Sequence, residues 1–417
     1  MRRRPMKFLS VAVALAALPF LALAQAPAEP PKPPLYSIYG TLDANLHYTT
    51  ATGATTPTED VAGRTSVSFD SSNIGIRGTL KVDDYIGATY QCETAASGDG
   101  IAGAVLCNRN SRIGLTGNWG TLWYGNWDTP FKAAAYGTKA DDPFNKTDVY
   151  GFQSIMGSPG FNYRSGAWAS TNDPRITGFD IRAQNSVGYW SPKFYGVSLK
   201  LQYSVNEFMT PNATRDPWLA GAVLNWDYGP FSILAAYETH HDGYALVAIN
   251  GAPNTSAQHS TDWAWRAGAG YQFDFTGGNA TLSAMADQLT LEQKDATAVG
   301  AATKYVRLAW QVALKLRFGD HELRARYSTA DDGKLTGVAA PGVLATVDAT
   351  DFGASMLALG YAYWIAPSLN VYLHYAQITN KPNAQYTFTI GGSPAVAGGT
   401  PAGADPMAIG LGTRYTF

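Results

Sequence analysis

Residues 305–318, YVRLAWQVALKLRF, alternate with a period of two. Val306, Leu308, Trp310, Val312, Leu314, Leu316 and Phe318 share one face, and Arg307, Gln311, Lys315 and Arg317 share the other. Successive strand side chains point to opposite faces, so this is a strand with a greasy side and a charged side. The same division recurs. In 37–48, Ile38, Leu42, Ala44, Leu46 and Tyr48 oppose Ser37, Tyr39, Thr41, Asp43, Asn45 and His47. In 265–275, Trp265, Ala267, Ala269, Tyr271, Phe273 and Phe275 oppose Arg266, Gln272 and Asp274. In 369–377, Leu369, Val371, Leu373 and Tyr375 oppose Asn370, Tyr372 and His374, and the closing MAIGLGTRYTF does the same. A water-soluble barrel fills its interior with apolar side chains. An apolar belt backed by charged and amide residues is the inverse, a barrel in lipid around water.

The connections between strands alternate in length. Short ones fall at 83–84, 118–119, 191–196, 229–230, 276–279, 319–320 and 366–368. Long ones fall near 50–65, 94–109, 128–177, 206–219, 241–261, 294–303, 329–353 and 379–405. Seven short turns and eight long loops are what sixteen antiparallel strands require. The expected fold is therefore all-β, a 16-stranded antiparallel transmembrane barrel with both termini on the periplasmic side. Its first and last strands pair to remove the sheet edges.

Composition agrees. Charged residues are 15% against a typical ~25%, and 24 Tyr with 11 Trp supply interfacial aromatics. Past the N-terminus no stretch reaches the ~20 apolar residues of a membrane helix. No fixed-period repeat suggests the rival β-solenoid. A net charge of −2 points away from a nucleic-acid partner, and no residue set calls for a cofactor. Arg2, Arg3, Arg4 and Lys7, the run FLSVAVALAALPFLALA and the Ala22-Leu23-Ala24 site form a secretory signal, expected to span 1–24. A Pro-rich tether over 25–34 would follow, and the barrel would occupy 35–417. In an exported chain the two cysteines, Cys92 and Cys107, with no His at metal-ligand spacing, are expected to pair.

The stretches LYSIYGTLDANLHY, SSNIGIRGTLKV, SRIGLTGNWGTLWYGNW, RAQNSVGYWSPKFYGVSLKLQYS and the terminal RYTF, in this order, resemble the Gram-negative general porin family. The resemblance covers essentially the whole mature chain. It implies a homotrimer in outer-membrane lipid and lipopolysaccharide, with the third loop folded inward. It also implies that Tyr415 and Phe417 are similar to the signal read by the outer-membrane assembly machinery. The chain departs from the family's acidic third loop, because 128–177 mixes acids and bases. Asp128, Asp141, Asp142 and Asp148 are the candidate constriction acids.

That connection is too long for mere linkage, and its Phe, Tyr and Trp content argues for order inside the barrel. On the lumen parity, Arg77, Arg112, Arg182, Lys200, Arg266, Arg307, Arg324 and Arg326 are candidate pore-lining cations. Lys81, Lys315, Arg317 and Arg414 share the parity, against Asp43, Asp274, Asp287 and Glu322. A basic surplus in a narrow channel concentrates anions. The expected function is passive diffusion of small hydrophilic solutes and ions, with mild anion preference. A substrate-specific channel is the alternative, with Tyr39, Trp123 and Tyr372 as inward aromatics. Enzymatic chemistry finds no support: no G-x-S-x-G or H-E-x-x-H occurs. His240 and His241, adjacent on a strand, are expected to point apart rather than share a metal. Small outward residues Gly40 and Ala44 suggest a neighbour-packing face on the first strand.

Overall fold

A computed structural model describes residues 35–417 except 70, 84, 97, 99–104, 146–149, 162–178, 206–216, 243–258, 294–300, 341–342, 349 and 389–399. The expected signal and tether, and Asp148, lie outside the described residues. No helix among the described residues is long and apolar enough to cross a membrane, and the strands do the crossing.

Among the described residues, nineteen strands form one sheet. They are β1 (Leu35–Thr52), β2 (Val61–Ser68), β3 (Asn73–Lys81), β4 (Gly87–Ala95), β5 (Ser111–Gly117), β6 (Gly120–Asp128), β7 (Arg182–Trp190), β8 (Val197–Val205), β9 (Trp218–Tyr228) and β10 (Phe231–His241). β11 (Thr261–Phe275), β12 (Gly278–Glu292), β13 (Ala302–Phe318), β14 (His321–Ala330), β15 (Lys334–Ala340), β16 (Val343–Asp348), β17 (Ala354–Ala366), β18 (Leu369–Asn380) and β19 (Asp405–Thr416) complete it. The wall of the barrel nevertheless has sixteen staves. β2 and β3 are two halves of one, since each pairs with a different half of β1. β15 and β16 form an extra hairpin in a long loop, while β14 pairs directly with β17. All pairings are antiparallel, and β1 closes on β19 from Thr41↔Thr416 to Thr52↔Asp405.

The period-two pattern appears as burial. Along β13, Leu308, Trp310, Val312 and Leu314 are 40%, 42%, 43% and 42% exposed, while Ala309 and Gln311 between them are 0% and 1%. Such a belt is stable only against lipid. Phe273, Phe275, Phe318, Tyr363, Tyr415 and Phe417 are exposed at the short-turn end, as an interfacial girdle requires. Gly40 corrects the neighbour-packing expectation. A Cβ there would lie 2.7 Å from the Phe417 ring and 2.6 Å from the Asn73 carbonyl oxygen, so this face of Gly40 is covered by its own chain. The backbones of Gly40 and Phe417 exchange two hydrogen bonds of 3.0 Å.

Candidate functional site: a loop-lined lumen

The long connection after β6 folds against the inner wall. Its apolar residues Phe131, Phe144, Tyr150, Phe152, Ile155, Met156 and Phe161 are all buried. They pack on a lumen face that is small and apolar here: Ala264, Met285, Leu289, Ala309, Ala330, Met356, Ala358, Ala376, Ile378 and Ala408. Gly410 faces the Tyr150 hydroxyl, where a Cβ would be only 2.4 Å away, so glycine is required for that approach.

Three wall arginines fasten the loop. Arg266 donates to the Phe131 carbonyl (3.1 Å) and ion-pairs with Asp180 (3.1 Å) and Asp287 (2.9 Å). Arg307 pairs with Asp287 (3.1 Å) and donates to the carbonyls of Ile155 and Ser158. Arg326 pairs with Asp142 (2.5 Å) and donates to the Gly151 carbonyl. Asp287 also accepts the Gly157 N–H at 2.9 Å. Burial raises the loop carboxyl of Asp180 to about 6 against the opposing pull of Arg266, with Asp287 adding to the rise.

Arg266, Arg307 and Arg326 therefore lie beneath the loop, at most 1% exposed, and do not line water. The sequence pattern gave their face and could not give this cover. Arg324 is also buried and paired, with Glu322 at 2.5 Å, and Arg414 pairs with Asp43. Arg182 leaves the set of pore-lining cations for another reason. The β6–β7 register shifts between Gly125 and Trp127, and Asn185 takes φ +50. This brings Arg182 opposite Asp128, and the two ion-pair at 3.0 Å.

The described constriction acids are all engaged. Asp128 is held by Arg182, Lys132 and Asn110. Asp142 pairs with Arg326 and also accepts the N–H groups of Phe144 and Phe152. Asp141 accepts from the Gly137 N–H and the Asn145 amide.

The wall from β3 to β8 carries Arg77, Arg112 and Lys200, while Lys315 and Arg317 lie at the short-turn end of β13, where Arg317 stacks on Trp364 at 4.6 Å. Arg77 is exposed and stacks on Tyr39, 4.5 Å from the ring centre. Arg112 lies over Trp190 (4.3 Å) and Trp127 (5.2 Å). Trp123 completes the aromatic group, 5.8 Å from Trp127 and 5.7 Å from Trp190. Lys200 stands opposite Trp190 in register, on the same face. Arg77, Arg112 and Lys200 have no carboxylate partner among the described residues. Sequence reasoning missed Arg109, which pairs with Glu93 (2.9 Å), because it lies beyond its strand and outside the parity count. Cys92 and Cys107 are joined by a disulfide, with Cα atoms 4.7 Å apart.

A sixteen-stave transmembrane barrel with one long loop folded onto its inner wall is the architecture of a diffusion channel. A family model described as "Gram-negative porin" matches residues 11–383, and the chain belongs to that family. Among curated relatives, it is 25% identical over 388 residues to outer membrane porin protein 32 of Delftia acidovorans, spanning 91% of this chain and 93% of that one. It is 28% identical over 248 residues to the major outer membrane protein P.IB of Neisseria meningitidis, 57% and 60% of the two chains. Among solved structures, an anion-selective porin from Comamonas acidovorans superposes with a TM-score of 0.67 at 20% identity, covering 92% of this chain and all of that one. OmpT of Vibrio cholerae in its trimer form gives 0.59 at 16% identity, with 92% and 99% covered. The protein is an outer-membrane porin, and family and fold point to a channel rather than an enzyme.

Proposed function

We propose that this porin is a mildly anion-selective diffusion channel for small hydrophilic solutes and ions, working as a homotrimer. It would be exported by the 1–24 signal, which is then cleaved. The reading rests on one observation. On the lumen-facing side of β3, β5 and β8, Arg77, Arg112 and Lys200 have no carboxylate partner among the described residues, while the described constriction acids are engaged in pairs and turns. Unbalanced positive charge in a confined low-dielectric passage concentrates anions. The anion-selective porin of Comamonas acidovorans adds support by analogy, and the trimeric state is inferred from the family.

Reversal potential under a KCl gradient tests the reading. The wild type should show the anion-selective sign, and Arg77→Gln/Arg112→Gln/Lys200→Gln should move it toward zero or past it. A cation-selective wild type would overturn the proposal.

The Trp123, Trp127 and Trp190 group beside Arg112 favours a second reading, a channel for anionic solutes carrying an aromatic ring. Block of the ionic current by micromolar benzoate-like solutes would select it. Current unaffected at millimolar levels would leave general diffusion.

A further inference from the structure

At the long-loop end of the barrel, away from the lumen cations, β10 ends in His241 and continues into Asp242, while His259 precedes β11. His259 Nδ1 lies 3.2 Å from both carboxylate oxygens of Asp242. His241 Nε2 lies 3.6 Å from Asp242 Oδ2, and the donor atoms of all three residues fall within 4.8 Å of one another. From these residues we infer that the structure holds a binding site for a divalent transition-metal ion.

Spacing is the first argument. Tetrahedral zinc with bonds of ~2.0–2.1 Å places neighbouring donor atoms roughly 3.3 Å apart. The two His–Asp separations bracket that value, and the two imidazole donors lie within 4.8 Å of each other.

Pre-orientation is the second. The Asp242 carboxylate is fully buried and also accepts the Ser260 N–H at 3.1 Å, which fixes its direction. Its own N–H donates to the Ser260 carbonyl at 2.9 Å, locking the two strand ends together. Asp242 takes φ +55, a left-handed conformation that an acid with a short side chain tolerates and that turns it away from strand alternation. This is why adjacent residues can share a site: His241 meets Asp242 across that turn, and His240 faces elsewhere, against Glu238 at 2.8 Å. His241 is stacked on Trp218, with ring centres 5.4 Å apart and planes at 14°.

Access is the third. The side chains of His241 and His259 are 32% and 40% exposed, so an ion would approach from the imidazole side, with the buried Asp242 carboxylate behind them.

Two imidazoles and one carboxylate select a borderline ion such as Zn²⁺, Cu²⁺ or Ni²⁺ over Ca²⁺ or Mg²⁺, which prefer all-oxygen shells. The bound ion would clamp the bases of the strands flanking the 243–258 connection. The site involves none of the residues assigned to conduction, so the two readings stand or fall separately.

The purified full-length porin should be titrated with ZnCl₂ by calorimetry and with CoCl₂ by visible absorption. The expected result is one ion per chain, a four-coordinate cobalt spectrum, and no competition from millimolar Mg²⁺. Asp242→Asn and His259→Gln should each weaken binding tenfold or more, and His321→Ala should not. Should the variants misfold, zinc should still protect His241 and His259 of the wild type from diethylpyrocarbonate, located by peptide mass spectrometry. Absence of saturable binding, unchanged affinity in both folded variants, or unprotected histidines would overturn the inference.

Discussion

Replacing Asp142 by Ala removes the one carboxylate among the described residues that pairs with Arg326. The guanidinium is fully buried; it also meets the Gly151 carbonyl at 3.4 Å and the Met356 sulfur at 3.2 Å, and lies 5.6 Å from the centre of the Phe144 ring. Removing one partner of a buried pair costs ~3–5 kcal/mol, because a charge is left without compensation. Asp142 also accepts the Phe144 and Phe152 N–H groups, so the loss falls at or above the lower end of that range. With ~1.4 kcal/mol per tenfold, ~3 kcal/mol lowers the docked-to-undocked ratio of this loop segment by about 100-fold. The Arg266 and Arg307 anchors hold other parts of the loop and keep the effect local. Single-channel recording in planar bilayers should show Asp142→Ala with larger mean conductance and more open-channel noise than wild type. Because replacing both members of a buried pair by apolar residues is often neutral, Asp142→Leu/Arg326→Met should be quieter than Asp142→Ala alone. Wild-type noise and conductance in Asp142→Ala, or a double variant as noisy as the single, would refute the anchoring argument.

Three further outcomes are expected. Asp180 titrates near 6 in the fold, above the ordinary ~3.9, so its protonated form is favoured and it lowers stability as pH rises through about 6. The unfolding temperature of Asp180→Asn minus that of wild type should increase between pH 5 and 7, and a flat difference would reject this. Cys92→Ser/Cys107→Ser opens a 16-residue ring (92 to 107) worth ~3 kcal/mol in the chain-entropy model. It should lower the unfolding temperature and leave conductance unchanged; an unaltered unfolding temperature would contradict it. Gly40→Leu should reduce the folded yield, since a Cβ there meets Phe417 and Asn73 at under 3 Å. A normal yield would show that the seam can give way.

The barrel was legible because each strand repeats one short rule, with large apolar residues outward and the rest inward. The arginines of the wall show where that rule stops. Parity assigns Arg307 and Arg77 to the same face, yet one lies under the loop and the other in the open lumen. A signal for the difference was present. The inward positions of β17 are Ala354, Met356, Ala358, Gly360 and Ala362, an apolar and small set that would be out of place against water. Ala354, Met356 and Ala358 are the seat of the loop, together with Ala376, Ile378 and Ala408, and Gly360 lies against the Phe144 ring. Arg182 escaped for a different reason, since one left-handed residue, Asn185, breaks the count that parity depends on. The β15–β16 hairpin was hidden in a stretch whose Ala, Gly and Thr content resembles a flexible loop, although Pro341-Gly342 is a turn signal.

The seam between β1 and β19 also governs how such a molecule can be made. Residue 40 bonds to residue 417, so the contact that completes the ring joins positions 377 apart (417 − 40). Until the final strand arrives, the first has a bare row of amide groups that hydrocarbon cannot satisfy. Partial barrels are therefore poor intermediates in a bilayer, and the long-range closure makes folding slow by topology alone. Synthesis must finish before insertion can succeed, and the polypeptide must be kept from aggregating during the interval.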